Sequence, residues 1–425
     1  MENTGALKRE RLFSKDFILI MTAGTGTAFM NNFFVITLAL HINAIGGLQA
    51  HTGIIAMVYA IAALIMRPVA GVMTDKYGRV KLLVIGAFIC AVTCFLYGLT
   101  ILIPMLIVIR TVMGIGFGMH STCAGAAAAD ILPRSRLAEG VGIFGLGATV
   151  AHAVGPGFAI AIVANGEIAD FRLLFFIAAG LCTMSTIANA NIKYEKKRRQ
   201  AALELAAEAE ASNAETSVVA PEDAKPEKLP KTFLGFEYAV FTPIAAMTLL
   251  FIGNAGKTLY LPAFALNSNL GNPALYFAFS AAGVFISRLV FGKVVDRRGA
   301  DIVVIPGVLI MIAGMFTIPL VTSLPMLVAL GFPLGLAQGA VMPTFNALIF
   351  RRCSAARRGT ASGAFFIAID LGFAIGSPFH GALLDAFGYR HMFWTGAILV
   401  SMSLVAYILV ASDRVYNKKK GIVSG

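Results

Sequence analysis

The sequence predicts an all-α membrane protein of twelve transmembrane helices, arranged as two pseudo-symmetric six-helix bundles. Three observations carry this. Hydrophobic residues make up 58% of the 425-residue chain and charged residues 13%, well below the about 25% charged share of soluble domains. The apolar residues gather in runs long enough to cross a bilayer, which takes about 20 residues each. The chain also resembles itself when shifted by 221 residues, the mark of an internal repeat. The runs are too long and too continuous to be the alternating strands of a membrane barrel.

Span one, 17–41, follows the basic segment MENTGALKRERLFSKD; its apolar run is too long for a signal peptide and has no clear cleavage site, so it is expected to be retained. Spans two and three, 50–74 and 81–100, flank the charged phrase GVMTDKYGRV. Spans four, five and six, 104–130, 139–163 and 171–192, complete the first half. The stretch AALELAAEAEASNAETSVVAPEDAKPEKLP is polar and dominated by Ala, Glu and Pro, the composition of a linker whose first part suits a surface helix. Spans seven to twelve follow at 237–265, 273–295, 302–321, 325–350, 359–384 and 389–411. The expected organisation is an N-terminal bundle over 1–193, a cytoplasmic linker over 194–236 and a C-terminal bundle over 237–425.

The formal charge of +12 does not point to nucleic acid, because the charges sit in short clusters between apolar runs. Alternate connections carry them: Lys8, Arg9, Arg11 and Lys15, then Lys76, Arg79 and Lys81, then Arg134 and Arg136, with further clusters at 193–199, 297–298, 351–358 and 414–420. The other set of connections holds little beyond Arg172 and Arg390. Basic loops stay in the cytoplasm, so both termini are expected there, in a multi-pass protein of the inner membrane. Four of the five cysteines, Cys90, Cys94, Cys123 and Cys182, lie in apolar runs and Cys353 in an Arg-rich loop, which is neither a disulfide framework nor a metal site. No cofactor or metal is expected, and no catalytic motif stands out.

The 221-residue shift lays RPVAGVMTDKYGR over RLVFGKVVDRRGA and pairs Arg67 with Arg288 and Asp75 with Asp296. Seven glycines also meet glycines: Gly71, Gly78, Gly86, Gly114, Gly118, Gly142 and Gly155 fall on Gly292, Gly299, Gly307, Gly335, Gly339, Gly363 and Gly376, more than chance gives for 43 glycines in 425 residues. Parallel repeats of this kind build transporters. By physics alone, Gly71 would let another helix approach and Gly78 would permit a tight turn. A carboxylate such as Asp75 at a helix tip can accept hydrogen bonds from the N-terminus of a neighbouring helix.

At these residues the chain resembles the major facilitator superfamily over essentially its whole length. The family's loop signature G-x-x-x-D-[RK]-x-G-[RK]-x-[RK] is matched by Gly71, Asp75, Lys76, Gly78, Arg79 and Lys81; the second copy keeps Gly292, Asp296, Arg297 and Gly299 but has Ala300 where a basic residue belongs. The resemblance implies a gate in which Asp75 closes against span eleven and Asp296 against span five. Topology anchoring is the plainer alternative. Gly142, Ala151, Gly155 and Pro156 in span five, echoed by Gly363, Gly372 and Gly376 in span eleven, resemble the signature of the antiporter branch; the plainer reading is small-residue packing. The segment RSRLAEGVGIFGLGATVAHAVGPG looks like a bacterial subgroup that includes opine-metallophore exporters.

Asp370 is the one carboxylate placed well inside a span, roughly 16 Å along span eleven at 1.5 Å per residue. Arg67 lies roughly 12 Å up span two from Asp75 by the same rise. The resemblance packs these spans together, so Arg67 and Asp370 are expected to meet, with Asp370 as the proton-coupling site or as half of a static ion pair. His152, one turn past Thr149, is the candidate relay. Spans one, four, seven and ten would line the cavity, giving Asn31, Asn32, Arg110, His120, Ser121, Asn254, Lys257, Gln338 and Asn346 as substrate contacts. Snorkelling to the interface is the alternative for Arg110 and Lys257. Such a cavity is poor in carboxylates, which favours an anionic, zwitterionic or amphiphilic substrate. The expected function is proton-coupled export by alternating access, by a monomer whose partners are a small-molecule substrate, protons and the lipid bilayer. Import of an organic acid with protons and a non-transporting membrane sensor are the alternatives.

Overall fold

In a computed structural model the chain is described over residues 13–132, 137–195, 200, 232–233, 236–352 and 358–413. The helices α1 to α6 are Lys15–Ala44, Gln49–Tyr77, Arg79–Leu99, Ile103–Ile131, Leu137–Ile162 and Ile168–Ala190. A hairpin of two-residue strands, Thr232–Phe233 with Phe236–Glu237, straddles the expected end of the linker at 236. The helices α7 to α10 are Tyr238–Asn267, Ala274–Arg298, Asp301–Thr317 and Leu324–Arg352. The last helical run, Arg358–Ala406, is broken at Gly388, whose φ of 78° no other residue type adopts cheaply. Its arms, 358–387 and 389–406, are α11 and α12. Ten helices are long and apolar enough to cross a membrane when this run is taken as one. Dividing it at Gly388 and adding α8, whose apolar part Ala274–Arg288 is shorter, gives twelve helices among the described residues.

Helices are what such runs must form, because backbone groups facing lipid have no water to bond and satisfy one another along the chain. Many Ser and Thr hydroxyls solve the same problem by donating one turn back, as Thr25 does to Met21 O at 2.8 Å and Thr37 to Phe33 O at 2.7 Å. The α1 start is capped: the Phe17 N–H donates to Ser14 Oγ at 3.1 Å. Large apolar side chains such as Phe88, Phe95, Met184, Phe285 and Leu409 face outwards, as a lipid-facing surface requires.

The repeat is legible in the packing. A β-carbon at Gly114 would collide with the Tyr59 carbonyl, and one at Gly335 with the Ser280 carbonyl; residues 59 and 280 are themselves 221 apart. Likewise Gly118 sits against Ala63 and Met66, and Gly339 against Val284 and Ser287. Thus α4 lies on α2 as α10 lies on α8, backbone to backbone, because glycine at these positions removes the side chain that would hold them apart. Gly155 seats α5 on α1 beside Asn32, and Gly372 and Gly376 seat α11 on α7 beside Phe251 and Ile252.

Between the halves, α2 packs on α11, α5 on α8 and α1 on α7. The face that carries residues 77–79, 193–195 and 351–352 is the basic face; the face that carries 45–48, 163–167 and 385–390 is the far face. At the far face one apolar core joins both bundles, running from Phe33, Phe34 and Tyr97 through Tyr260 and Phe264 to Phe393. Towards the basic face it divides. One branch holds Phe17, Met66, Leu82 and Cys123, the other Val240, Met247, Phe345 and Tyr407. Among the described residues, the molecule is closed at the far face and parted at the basic face.

Candidate functional site

The far closure is made by helix ends. Asp385, at the end of α11, accepts from the Gln49 and Ala50 N–H groups at 3.0 and 2.6 Å. Those groups open α2, whose N-terminus has donors without intrahelical partners and the positive end of the helix dipole. The Tyr260 hydroxyl donates to the Gln49 carbonyl at 3.1 Å. Gly53 lies against the Ser377 carbonyl and Pro378, and Gly381 against the Gln49 carbonyl. None of these contacts stood out from the sequence, since each joins helix ends whose neighbours in space no local pattern names.

One layer further in, Arg67 of α2 meets Asp370 of α11. Nε donates to Oδ2 at 2.5 Å and Nη2 to Oδ1 at 3.4 Å. Nη1 donates to Ser121 Oγ of α4 at 2.9 Å, and the guanidinium lies 4.6 Å from the Phe366 ring centre. Arg67 is 4% exposed and Asp370 8%. Gly71 lies one turn beyond Arg67 and Gly363 two turns before Asp370, on the same helix faces, yet a β-carbon at either would meet nothing within 4 Å. The ion pair therefore lies where the shared core gives way to the parted helices. It corrects the expectation for Gly71: among the described residues no helix approaches it here, because the bundles diverge below the pair.

Arg110 of α4 is buried and does not snorkel. Its guanidinium is held 4.1 Å from the Tyr59 ring centre and 4.7 Å from that of Phe34, Nη1 reaches Met113 Sδ at 2.8 Å, and Nε has no hydrogen-bond partner among the described residues. Tyr59 in turn donates to Asn31 Oδ1 at 2.7 Å. Tyr59 and Phe366 were not foreseen; aromatic residues are too common in apolar helices for sequence to single them out. Across the molecule, Lys257 of α7 is 5% exposed and Nζ donates to Gln338 Oε1 of α10 at 3.4 Å; it does not snorkel either. Asn254 donates to Thr258 Oγ1 at 3.3 Å, and its Oδ1 and the Asn346 Oδ1 have no donor among the described residues.

Two expected contacts move. His120 does not face the gap between the bundles. Its ring lies between Thr27 Oγ1 at 3.3 Å and Asn189 Nδ2 at 3.2 Å, against Gly86 of α3, inside the N-terminal bundle. The repeat carries the reason: position 120 falls on Val341, which is fully buried and meets Gly307 in the same way. Asn32 bonds the Ala28 carbonyl of its own helix at 2.8 Å, with its β-carbon against Gly155. His152 is exposed on α5, bonds the Ala148 carbonyl at 2.8 Å through Nδ1 and lies within electrostatic reach of Arg288; it is not beside Arg67 and Asp370. Pro156 is buried inside α5.

At the basic face the side chains of Asp75, Asp296 and Arg297, and the surroundings of Gly142, lie outside the described residues. Gly78 turns the chain with φ of 83°, as Gly299 does with 84° in the other half. Arg79 forms an ion pair with Asp130 and donates from Nη1 to the Ala126 carbonyl at 2.8 Å. Its backbone N–H, at the start of α3, donates to Glu195 at 2.5 Å. The second half repeats this cap: the Ala300 N–H donates to Asp413 at 2.8 Å, just before α9. Tyr194 lies beside Glu195 at 3.5 Å, where burial and the neighbouring carboxylates raise its phenol pKa. These capping carboxylates follow α6 and α12 and were not foreseen, because the sequence marks them only as acids next to basic clusters.

The model of the Major Facilitator Superfamily matches residues 17–300 and 245–423. An MFS-type transporter of Methanocaldococcus jannaschii is 23% identical over 93% of this chain and 97% of its own. The staphylopine export protein of Staphylococcus aureus is 21% identical over 93% of this chain and 95% of its own. A crystal structure of a POT family transporter in complex with a thioalcohol-conjugated peptide superposes with a TM-score of 0.71, 13% identity and coverage of 96% of both chains. With twelve helices in two repeated bundles and a family match along nearly its whole length, the chain belongs to the Major Facilitator Superfamily.

Proposed function

We propose that the protein is a secondary active transporter that exports a small organic anion, zwitterion or amphiphile from the cytoplasm in exchange for protons. The observation that carries this is the Arg67–Asp370 pair. It joins the two bundles, it is buried, and it sits where the closed far layer meets the parted basic layer. In such a place the ionised pair holds α2 to α11. Protonating Asp370 removes the attraction, which at an effective dielectric of about 20 and a separation of about 4 Å amounts to about 4 kcal/mol. A proton that reaches Asp370 would thus loosen the far closure, and its loss would restore it. The basic face is the cytoplasmic one on this reading, because basic loops are retained there. The family match supports transport, and the export protein among the relatives favours the outward direction.

The test is transport in proteoliposomes with an imposed pH gradient. Asp370→Asn should abolish uphill, pH-driven movement and leave substrate exchange at equal pH. An Asp370→Asn protein that pumps as the parent does would place coupling elsewhere.

A further inference from the structure

We infer that the substrate is an organic anion with an apolar body, whose charged head is taken by Lys257 and Gln338 of the C-terminal bundle while the body faces the N-terminal bundle. This rests on the transport reading and narrows it to a substrate class. Lys257 is the starting point. Of the other buried cations in the spans, Arg67 meets Asp370 and Ser121, and Arg110 lies against the faces of Tyr59 and Phe34 with Nη1 on Met113 Sδ, only its Nε being without a partner among the described residues. Lys257 has one neutral partner, the Gln338 amide oxygen at 3.4 Å, and among the described residues no carboxylate within ion-pair distance. An ammonium brings three donors, so the site offers charge and hydrogen bonds that the protein does not use. One turn away, Asn254 Oδ1 is buried without a donor, a second polar group left open at the same place.

The repeat shows what stands opposite. Subtracting 221 from Lys257, Gln338 and Asn254 gives Ile36, Phe117 and Phe33. The polar trio of one bundle is an apolar, aromatic trio in the other. Phe117 is partly exposed and its ring lies 5.8 Å from that of Tyr59. α1 packs on α7, so Phe33 and Ile36 stand on the helix that adjoins the one carrying Asn254 and Lys257; both are buried, Phe33 stacked on Phe158 of α5. Sites for small molecules are mostly apolar with a few placed polar groups. Here Phe117, against Tyr59, gives the N-terminal side an apolar surface where the C-terminal side has Lys257 and Gln338, which suits a ligand with a charged end and an apolar end.

The full-length protein, purified in a neutral detergent, would be titrated at fixed pH and salt with benzoate, phenylacetate and octanoate, and with benzamide and benzylamine as neutral and cationic counterparts. The expected result is that the carboxylates bind at least about tenfold more tightly than either counterpart, as charge-assisted hydrogen bonds do relative to neutral ones. Lys257→Gln should erase that preference, with a melting temperature near the parent's reporting that the variant is folded. Lys257→Arg should keep the preference, and Gln338→Leu should weaken carboxylate binding. Equal binding of benzamide, retention of the preference in Lys257→Gln, or no binding by any carboxylate would overturn the inference. Binding needs no gradient, so carboxylates held through Lys257 but never moved would count against the transport reading alone. Transport of amines with no binding of carboxylates would count against this inference alone.

Discussion

Removing either Arg67 or Asp370 strands the other inside the membrane core. Breaking a buried pair from one side costs about 3–5 kcal/mol, whereas replacing both partners by apolar groups can be neutral. Arg67→Met and Asp370→Leu should therefore each melt well below the parent, and the double variant should melt above both singles; additive losses would show that the pair is not a unit. The pairing was legible from position along two helices and a family arrangement that brings them together. Ser121 and Phe366, which complete the shell around Arg67, were less so, because they depend on how far each helix is rotated. His120 shows the opposite failure: a polar residue in a lining helix was taken for a cavity residue, although its repeat mate Val341 marked the position as core. Burial of Lys257 and Arg110 sets aside the snorkelling alternative, and it comes from packing across helices rather than from anything local.

At the scale of elements, the apolar runs foretold the helices, and the ends differ by a few residues because helices continue past the hydrocarbon edge, as α1 does from Lys15 to Ala44. The glycine coincidences foretold the close α2–α4 and α8–α10 crossings, since only a missing side chain permits them. What the runs did not reveal is which helix tips touch. Asp385 caps α2 from the opposite bundle, and its neighbourhood contains no pattern that names its partner. Hydrogen bonds to a charged group contribute about 1.5–3 kcal/mol, so Asp385→Ala should open the far closure. Ser377, fully buried in that closure, is the place to read it: in a Cys353→Ser background, Ser377→Cys should react with an impermeant maleimide about tenfold faster once Asp385 is Ala. An unchanged rate would mean that the apolar core alone keeps the far face shut.

The whole molecule is two copies of one bundle joined at one end. A single apolar core spans them at the far face and two cores separate them at the basic face, with Arg67 and Asp370 at the fork. The duplication and the twelve crossings were readable because they leave periodic marks in the chain; the conformation was not, because the same sequence must support the alternate one. In the alternate form the basic ends of α2 and α11 would meet, and Gly71 and Gly363, which now face open space, would lie where a helix can approach. The direct test is the distance between spin labels at Thr74 and Gly363, measured by pulsed electron resonance across a pH series. Two distance populations should exchange, the short one growing as the pH falls, and Asp370→Asn should remove the pH dependence. A single distance at every pH, or an exchange that Asp370→Asn leaves intact, would contradict the mechanism.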